Sequence, residues 1–292
     1  MRKAVGFRLR TLGPARAGGI MAALIALCLH PLPVLRATDL SGSFRPGLSF
    51  SQTRPLTPKQ QAALLEGLRQ RTGFSEIRCD GGGFLVLGNR ARILGGSVTA
   101  RTLVSAVVDG RDSYTIESYQ RSPEVAFARI QSKLDYVNVR VAPRLTRHSW
   151  SVAIDFQDYG ELRGHAEAIR AFDPALTLLH ELAHAVMNLR DSTGETDSLG
   201  DCERYINQIR RELGLPERQS YESVNTQTVT PYGAGQRILA ELSFVRVDPG
   251  NRIRRFRLTF DVENVFAAGM VKRRSAGIGG LARADLGQEQ KR

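Results

Sequence analysis

The segment DPALTLLHELAHAVMNLR, residues 173–190, decides the expected fold and chemistry. Asp173 can cap the free N–H groups at the start of a helix, and Pro174 suits the first helical turn. Apolar residues then recur at helical spacing: Leu176, Leu179, Ala183, Val186 and Met187. The pattern predicts an amphipathic helix that ends near Arg190.

The motif His180-Glu181-Leu182-Ala183-His184 lies inside this predicted helix. Residues four apart stand on one helical face, so the two imidazoles can bind one Zn²⁺. Glu181 is rotated about 100° from His180 on the helix. It is therefore better placed to take a proton from a water at the metal than to bind the metal. The alternative is a helix with two ordinary histidines, which the apolar, capped flanks disfavour.

A third metal ligand has to come from another segment, and residues 198–214 read as a second helix that Gly214 ends. Glu203 is the first choice for this ligand, with Asn207 one turn further on the same face as an orienting group. Asp201, Glu195 and Asp197 follow as alternatives. Glu203 could instead be an ordinary residue that favours the dipole of a solvated helix.

The combination of HELAH with a following E-x-x-x-N helix resembles the gluzincin class of zincin HExxH zinc metallopeptidases. Residues 207–221, NQIRRELGLPERQSY, also resemble a segment that follows the motif in bacterial effector-type metallopeptidases. The chain departs from these patterns at two positions: Asn207 stands where gluzincins usually have Asp, and Ile206 where the effector-type enzymes usually have Glu. The resemblance covers about residues 172–221 and implies a zincin-like fold, bound Zn²⁺ and hydrolysis of peptide bonds.

We expect an α+β fold with one metallopeptidase domain over residues 57–271. Its sheet-rich part, 57–165, should form a twisted, mostly antiparallel sheet, followed by the metal-binding helices of 172–214 and a helical C-terminal part. Capping and periodicity predict helices at 57–71 and 97–108, and a hairpin turn at Gly81–Gly83. Strands are predicted at 113–119, 136–141 and 150–156. Residues 252–257 alternate basic and apolar side chains and predict a strand with a solvated basic face, although an acidic partner is an alternative.

The first 37 residues have the features of an export signal. Six basic and no acidic residues accompany the apolar run Ile20–Leu29, and Ala37 can precede a cleavage site. Ten apolar residues are too few to span a bilayer, so no stable membrane span is expected after cleavage, although an uncleaved anchor is the alternative. The mature chain should then be secreted or periplasmic. Residues 38–56 are expected to be a flexible lead-in and residues 272–292 a disordered tail.

The formal charge of +12 falls to +6 without the predicted signal, which weakens the case for a nucleic-acid partner. Outside the signal, the chain has two cysteines, Cys79 and Cys202. An oxidising compartment favours a disulfide between them, and two buried free thiols are the alternative.

The predicted function is hydrolysis of a peptide or protein substrate by a metal-activated water, with Glu181 as the general base. An oxyanion donor is also needed. Tyr221 is the first candidate because it lies in the segment that resembles the effector-type enzymes; the others, by residue type, are His165, Tyr205, Arg218 and Tyr232. Two other functions remain open: a zinc-dependent amide hydrolase acting on the cell wall, and a secreted zinc-binding module without activity.

Overall fold

The computed structural model of the protein describes residues 45–122, 126–133, 147–192, 197–221, 224–229 and 236–262. Five predicted features therefore lie outside the described residues: the signal at 1–37, the strand at 136–141, Glu195, Tyr232 and the tail at 272–292. None of the helices that the structure describes is long and apolar enough to cross a membrane.

The described chain is α+β, as predicted. Its helices are α1 Pro58–Thr72, α2 Val98–Asp109, α3 Ala166–Arg170, α4 Pro174–Met187 and α5 Gly200–Glu212, with a short 3₁₀ turn at Asp158–Glu161. Its strands are β1 Gly47–Phe50, β2 Arg78–Cys79, β3 Leu85–Val86, β4 Ser113–Tyr119, β5 Ala128–Lys133, β6 Ser149–Asp155, β7 Arg163–Gly164, β8 Glu217–Arg218, β9 Val224–Val229, β10 Gln236–Val247 and β11 Ile253–Asp261.

The first sheet has the strand order β1-β4-β6-β5 and is mixed. Strands β1, β4 and β6 are parallel, and only β5 is antiparallel to its neighbour β6. The prediction of a mostly antiparallel sheet is thus wrong for this part of the chain. The reason is that α1 and α2 lie between β1 and β4, and such long connections allow neighbouring strands to run in the same direction.

Part of the predicted flexible lead-in is also ordered. Leu48 and Phe50 of β1 are buried in the main core, whereas the residues around them are rich in Ser, Pro and Arg. Strand β1 also pairs with β4 along its whole length, so backbone hydrogen bonds add to the burial of these two side chains. The prediction missed this strand because its apolar pattern covers only four residues.

Helix α4 is the centre of the main core. It packs against α1, α2 and α5 and against strands β5 and β6. As the sequence predicts, Asp173 caps α4 by accepting a hydrogen bond from the N–H of Leu176, and Pro174 begins the helix. The helix ends at Met187, three residues earlier than predicted, because Asn188 adopts a left-handed conformation with φ 52°.

Two other predicted helices have the predicted ends. Thr57 and Gln60 form the capping box of α1, and Gly73 ends this helix in the left-handed conformation with φ 79°. Ser97 caps α2 through the N–H of Ala100. Strands β2 and β3 form the hairpin that was predicted around the glycine triplet.

The expectation of a helical C-terminal part is wrong for the described residues between α5 and Asp261, which form strands and their connections. The chain continues into an antiparallel sheet of order β7-β11-β10-β8, in which β9 also pairs with β10. In β11, Phe256, Leu258 and Phe260 are buried, while Arg255 and Arg257 are exposed. This alternation confirms the predicted strand with a solvated basic face, and burial of its apolar side chains explains why the segment is not a helix.

Candidate metal centre

The two histidines of the motif face the same side of α4. Their Nε2 atoms are 3.1 Å apart, and their rings are perpendicular, with centroids 4.7 Å apart. Nδ1 of His184 lies 2.7 Å from the carbonyl oxygen of Leu189, which fixes the ring orientation and leaves Nε2 toward the site. His180 is buried and His184 half-buried. The predicted pair of metal-binding nitrogens is therefore brought together.

The carboxylate beside both Nε2 atoms belongs to Asp191, which the sequence analysis did not select. Its Oδ1 lies 3.1 Å from Nε2 of His180, and its Oδ2 lies 3.3 Å from Nε2 of His184. Oδ1 is buried beside the imidazole of His180. The left-handed Asn188 turns the chain at the end of α4, so that Asp191 returns to the histidines. An Asn able to adopt this conformation, followed closely by a carboxylate, is the signal that could have revealed it.

The Cys202 thiol joins the same cluster. One donor atom from each of His180, His184, Asp191 and Cys202 lies within 4.8 Å of the others. Cys202 is fully buried at the start of α5, and its thiol donates to the carbonyl oxygen of His180 over 3.4 Å. The thiol is therefore held at the wall of the cluster rather than at the protein surface.

The predicted disulfide between Cys79 and Cys202 is not formed in the structure, where both cysteines are free. Cys79 belongs to the β2–β3 hairpin, and its sulfur accepts a hydrogen bond from the amide of Gln61 in α1. Cys202 points to α4 instead. The two thiols are thus directed to different helices, so the alternative of two free thiols describes the structure better.

Glu203, the predicted third ligand, lies on the opposite side of the His180 ring. Its Oε2 is 3.5 Å from Nδ1 of His180, whereas Asp191 and His184 lie beside Nε2 of that ring. Arg210 donates to Oε1 and Arg218 to Oε2 of the same carboxylate, and all three side chains are buried. Burial raises the pKa of Glu203, but the two guanidinium groups outweigh it and lower the pKa to about 2. Glu203 is therefore an ionised carboxylate that orients His180.

Asn207 was predicted to orient a metal ligand, but its side chain bonds to β8 and to an arginine of α5. Its side-chain oxygen accepts from the N–H of Arg218 and from Arg210, and its amide donates to the carbonyl of Arg218. These bonds fix β8 against α5 and hold the arginines that surround Glu203. The other two candidate ligands in the described chain, Asp197 and Asp201, pair with Arg204 at the surface.

Tyr221 reaches the cluster, but its hydroxyl does not face open space. The hydroxyl donates to Oδ2 of Asp191 over 2.8 Å, and the ring stacks on His180 with centroids 6.0 Å apart. Arg218 donates to the backbone carbonyl of Tyr221 and to Glu203, so it also supports the site from outside. The other two described oxyanion candidates bond elsewhere: the hydroxyl of Tyr205 donates to the carbonyl of Thr99, and Nδ1 of His165 lies 3.1 Å from the carbonyl oxygen of Arg257.

Glu181 is buried beside the histidines and next to the edge of the first sheet. Its Oε2 accepts a hydrogen bond of 2.9 Å from the N–H of Ile130 in β5. Burial raises the pKa of the Glu181 carboxyl, while His180 and His184 act in the opposite direction. A carboxylate with a raised pKa is a better proton acceptor than an exposed one.

Protons on the two imidazoles balance the negative charge of the Asp191 carboxylate. Burial disfavours the imidazolium forms, but Asp191 and Cys202 outweigh it and raise the pKa to about 10 for His180 and about 11 for His184. Burial likewise opposes ionisation of Asp191, yet the two imidazoles lower its pKa well below the usual range. The carboxylate of Asp191 thus lies beside two protonated imidazoles, and a divalent cation can take the place of their protons.

The donor set fits Zn²⁺. Two imidazole nitrogens, one carboxylate and one thiol are the ligand types that zinc takes, and Nε2 atoms about 3 Å apart suit binding to a single ion. The carboxylate of Glu203 at Nδ1 of His180 and the carbonyl of Leu189 at Nδ1 of His184 are typical orienting partners of metal-bound histidines.

Comparisons of the chain with models of protein families, with curated proteins and with solved structures find no match.

Proposed function

We propose that the protein is a zinc-dependent hydrolase of peptide bonds in which His180, His184 and Asp191 hold the metal. The observation that carries the proposal is the position of the Asp191 carboxylate, 3.1 and 3.3 Å from the two Nε2 atoms of the HELAH motif. Asp191 replaces Glu203 in the ligand set that was predicted from sequence. Three protein ligands of this kind are typical of catalytic zinc sites.

Glu181 is the general base in this proposal. When bound, Zn²⁺ supplies a water of lowered pKa and polarises the scissile carbonyl. Glu181 removes a proton from that water and transfers it to the leaving amine. Its burial and its position one residue after His180 support this role. In the resting structure the carboxylate is held by the N–H of Ile130, so Glu181 is already directed between α4 and the sheet.

The substrate in this proposal is an extended peptide that lies along β5. Strand β5 is at the end of the first sheet, and within the described residues it pairs only with β6. Its Ile130 N–H points to the site rather than into the sheet. An extended peptide can add to such an edge through backbone hydrogen bonds, which would bring a scissile bond beside Glu181.

We further propose that the chain is exported, with cleavage after about Ala37, and acts in a secreted or periplasmic location. The basic and apolar pattern of residues 1–37 supports this. Sequencing the N-terminus of the mature protein tests it. A start near Thr38 is expected, and a chain recovered intact from Met1 would contradict export with cleavage.

A second candidate function is a zinc-binding module without activity. Cys202 favours it, because a fourth protein donor leaves no position for water. One measurement distinguishes the two functions: the zinc-loaded protein hydrolyses peptides if it is an enzyme and does not if it is a binding module.

The test compares wild type with Glu181→Gln on a library of unstructured peptides, with zinc content measured for both. The amide cannot accept a proton from water, so Glu181→Gln should retain about one zinc per chain and lose at least 100-fold in kcat/KM, as expected for removal of a general base. Glu66→Gln on the exposed face of α1 is the control and should retain wild-type activity. Hydrolysis by Glu181→Gln at the wild-type rate would contradict the proposal.

A further inference from the structure

The cluster contains one donor more than a hydrolytic zinc site requires. His180, His184 and Asp191 already provide three, and the thiol of Cys202 is within 4.8 Å of a donor atom of each. Catalytic zinc sites retain an open position for water, whereas sites with four protein ligands are closed. The function of Cys202 therefore decides whether water has access to the metal.

Backbone pairing holds Asp191 and Cys202 next to each other. The segments that carry them form an isolated antiparallel bridge between Asp191 and Gly200, and the N–H of Cys202 donates to the carbonyl of Arg190 over 3.0 Å. Gly200 has φ +72°, and a Cβ there would lie 2.3 Å from the backbone nitrogen of Ser192. Only glycine allows this close approach, which holds the backbone segments of Asp191 and Cys202 side by side.

The thiol is also directed to the histidines by α4 itself. Within the described residues, its hydrogen-bond partner is the carbonyl oxygen of His180, and Cys202 is fully buried between α4 and α5. A buried cysteine is often only a small apolar residue. Here, however, it shares a cluster with two imidazoles and a carboxylate, which are ligand types that zinc takes.

We infer that Cys202 is a fourth zinc ligand, which makes the resting centre four-coordinate and latent. This inference rests on the proposed function, since it concerns the same metal. On binding, the thiol gives one proton to solvent and its sulfur forms a bond to the metal. Hydrolysis would then require the sulfur to leave the metal and take up one proton from solvent, and a water to occupy the vacated position, so Cys202 would control whether water reaches the metal beside Glu181.

Cobalt substitution tests the ligand directly. A thiolate bound to Co²⁺ gives an intense charge-transfer absorption in the near ultraviolet, whereas nitrogen and oxygen ligands do not. The Co²⁺-loaded wild type and Cys79→Ala should both show this band, and Cys202→Ser should lack it. Cys79 is a suitable control because it is the other described cysteine and lies on β2, bonded to Gln61. The wild-type spectrum needs no substitution, so the test does not depend on how well a variant folds.

Latency is tested with zinc. At saturating Zn²⁺, Cys202→Ser should hydrolyse peptides at least about tenfold faster than wild type, and it should bind Zn²⁺ at least about tenfold more weakly. One bound Co²⁺ without the thiolate band in wild type would overturn the inference and leave the proposed function intact. Metal-loaded Cys202→Ser that is no faster than wild type would overturn latency. Failure of wild type to bind any metal would overturn the proposed function itself.

Discussion

Tyr221 donates its hydroxyl hydrogen to Oδ2 of Asp191 over 2.8 Å, while its ring stacks on His180. One side chain thus contacts two of the proposed zinc ligands. The contact assigns Tyr221 a positioning role and differs from the expectation that it donates to an oxyanion. The two roles have different consequences when the hydroxyl is removed.

Tyr221→Phe retains the ring stack but removes the hydrogen bond to Asp191. We expect zinc affinity to fall about 10- to 100-fold, as for other partners of metal ligands. At saturating zinc, kcat should change little. Competition with a chelator gives the affinity, and a steady-state assay gives kcat. A large loss of kcat with unchanged zinc affinity would restore the oxyanion role and contradict the positioning role.

Asp191→Ala should lose zinc binding, whereas Glu203→Ala should lose stability. Asp191→Ala should abolish tight zinc binding while the metal-free protein still folds, because the side chain is partly exposed. Glu203→Ala leaves Arg210 buried without its carboxylate, so the free energy of unfolding should fall by about 3–5 kcal/mol. Metal analysis and urea denaturation separate the two effects. If Glu203→Ala folds with wild-type stability but loses zinc, then Glu203 is the ligand after all.

Gly200→Ala should damage the centre although it replaces none of the proposed ligands. The new Cβ would lie 2.3 Å from the backbone nitrogen of Ser192 and 2.5 Å from the carbonyl carbon of Asp191. The bridge between Asp191 and Gly200 should therefore open, which costs at least about 1–3 kcal/mol of stability and weakens zinc binding. Gly250→Ala is the control, since a Cβ there meets nothing within 4 Å. Thermal unfolding with and without zinc measures both effects. Equal stability of the two variants would contradict this account of the bridge.

Glu212 should make stability depend on pH. Burial raises its pKa, but hydrogen bonds from Ser97 and Thr99 at the start of α2 outweigh burial and lower the pKa to about 2. Because the pKa of Glu212 in the folded protein is lower than its ordinary value of 4.5, the charge stabilises the fold above pH 4.5, and the stabilisation is lost as pH falls toward 2.

Glu212→Gln should accordingly destabilise the protein by about 1 kcal/mol at pH 7, as for a carboxylate at a helix N-terminus. The difference from wild type should shrink at pH 3. Urea denaturation at the two pH values measures it. Glu66→Gln serves as a control because its ion pair with Arg69 is at the surface. A difference that does not vary with pH would show that the charge of Glu212 is not responsible.

The local elements were predictable from the sequence because their causes are local. Asp173 and Pro174 define the start of α4, Thr57 and Gln60 form a capping box, and Gly73 can adopt the left-handed conformation that ends α1. The spacing of His180 and His184 places two imidazoles on one face of any α-helix. These features depend on residues at most four positions apart, so the chain needs no tertiary structure to specify them.

Only the tertiary structure decided the directions of the strands and which carboxylate lies beside the two histidines. The direction of β1 relative to β4 depends on how α1 and α2 pack over the sheet, and a short apolar pattern carries no information about it. Glu203 and Asp191 are both acidic residues that follow the motif, and spacing favoured the former. The fold places Glu203 against two buried arginines and turns Asp191 toward the histidines through Asn188. Burial of Arg210 requires a carboxylate partner, and this long-range requirement determines which acidic side chain is left to face the two histidines.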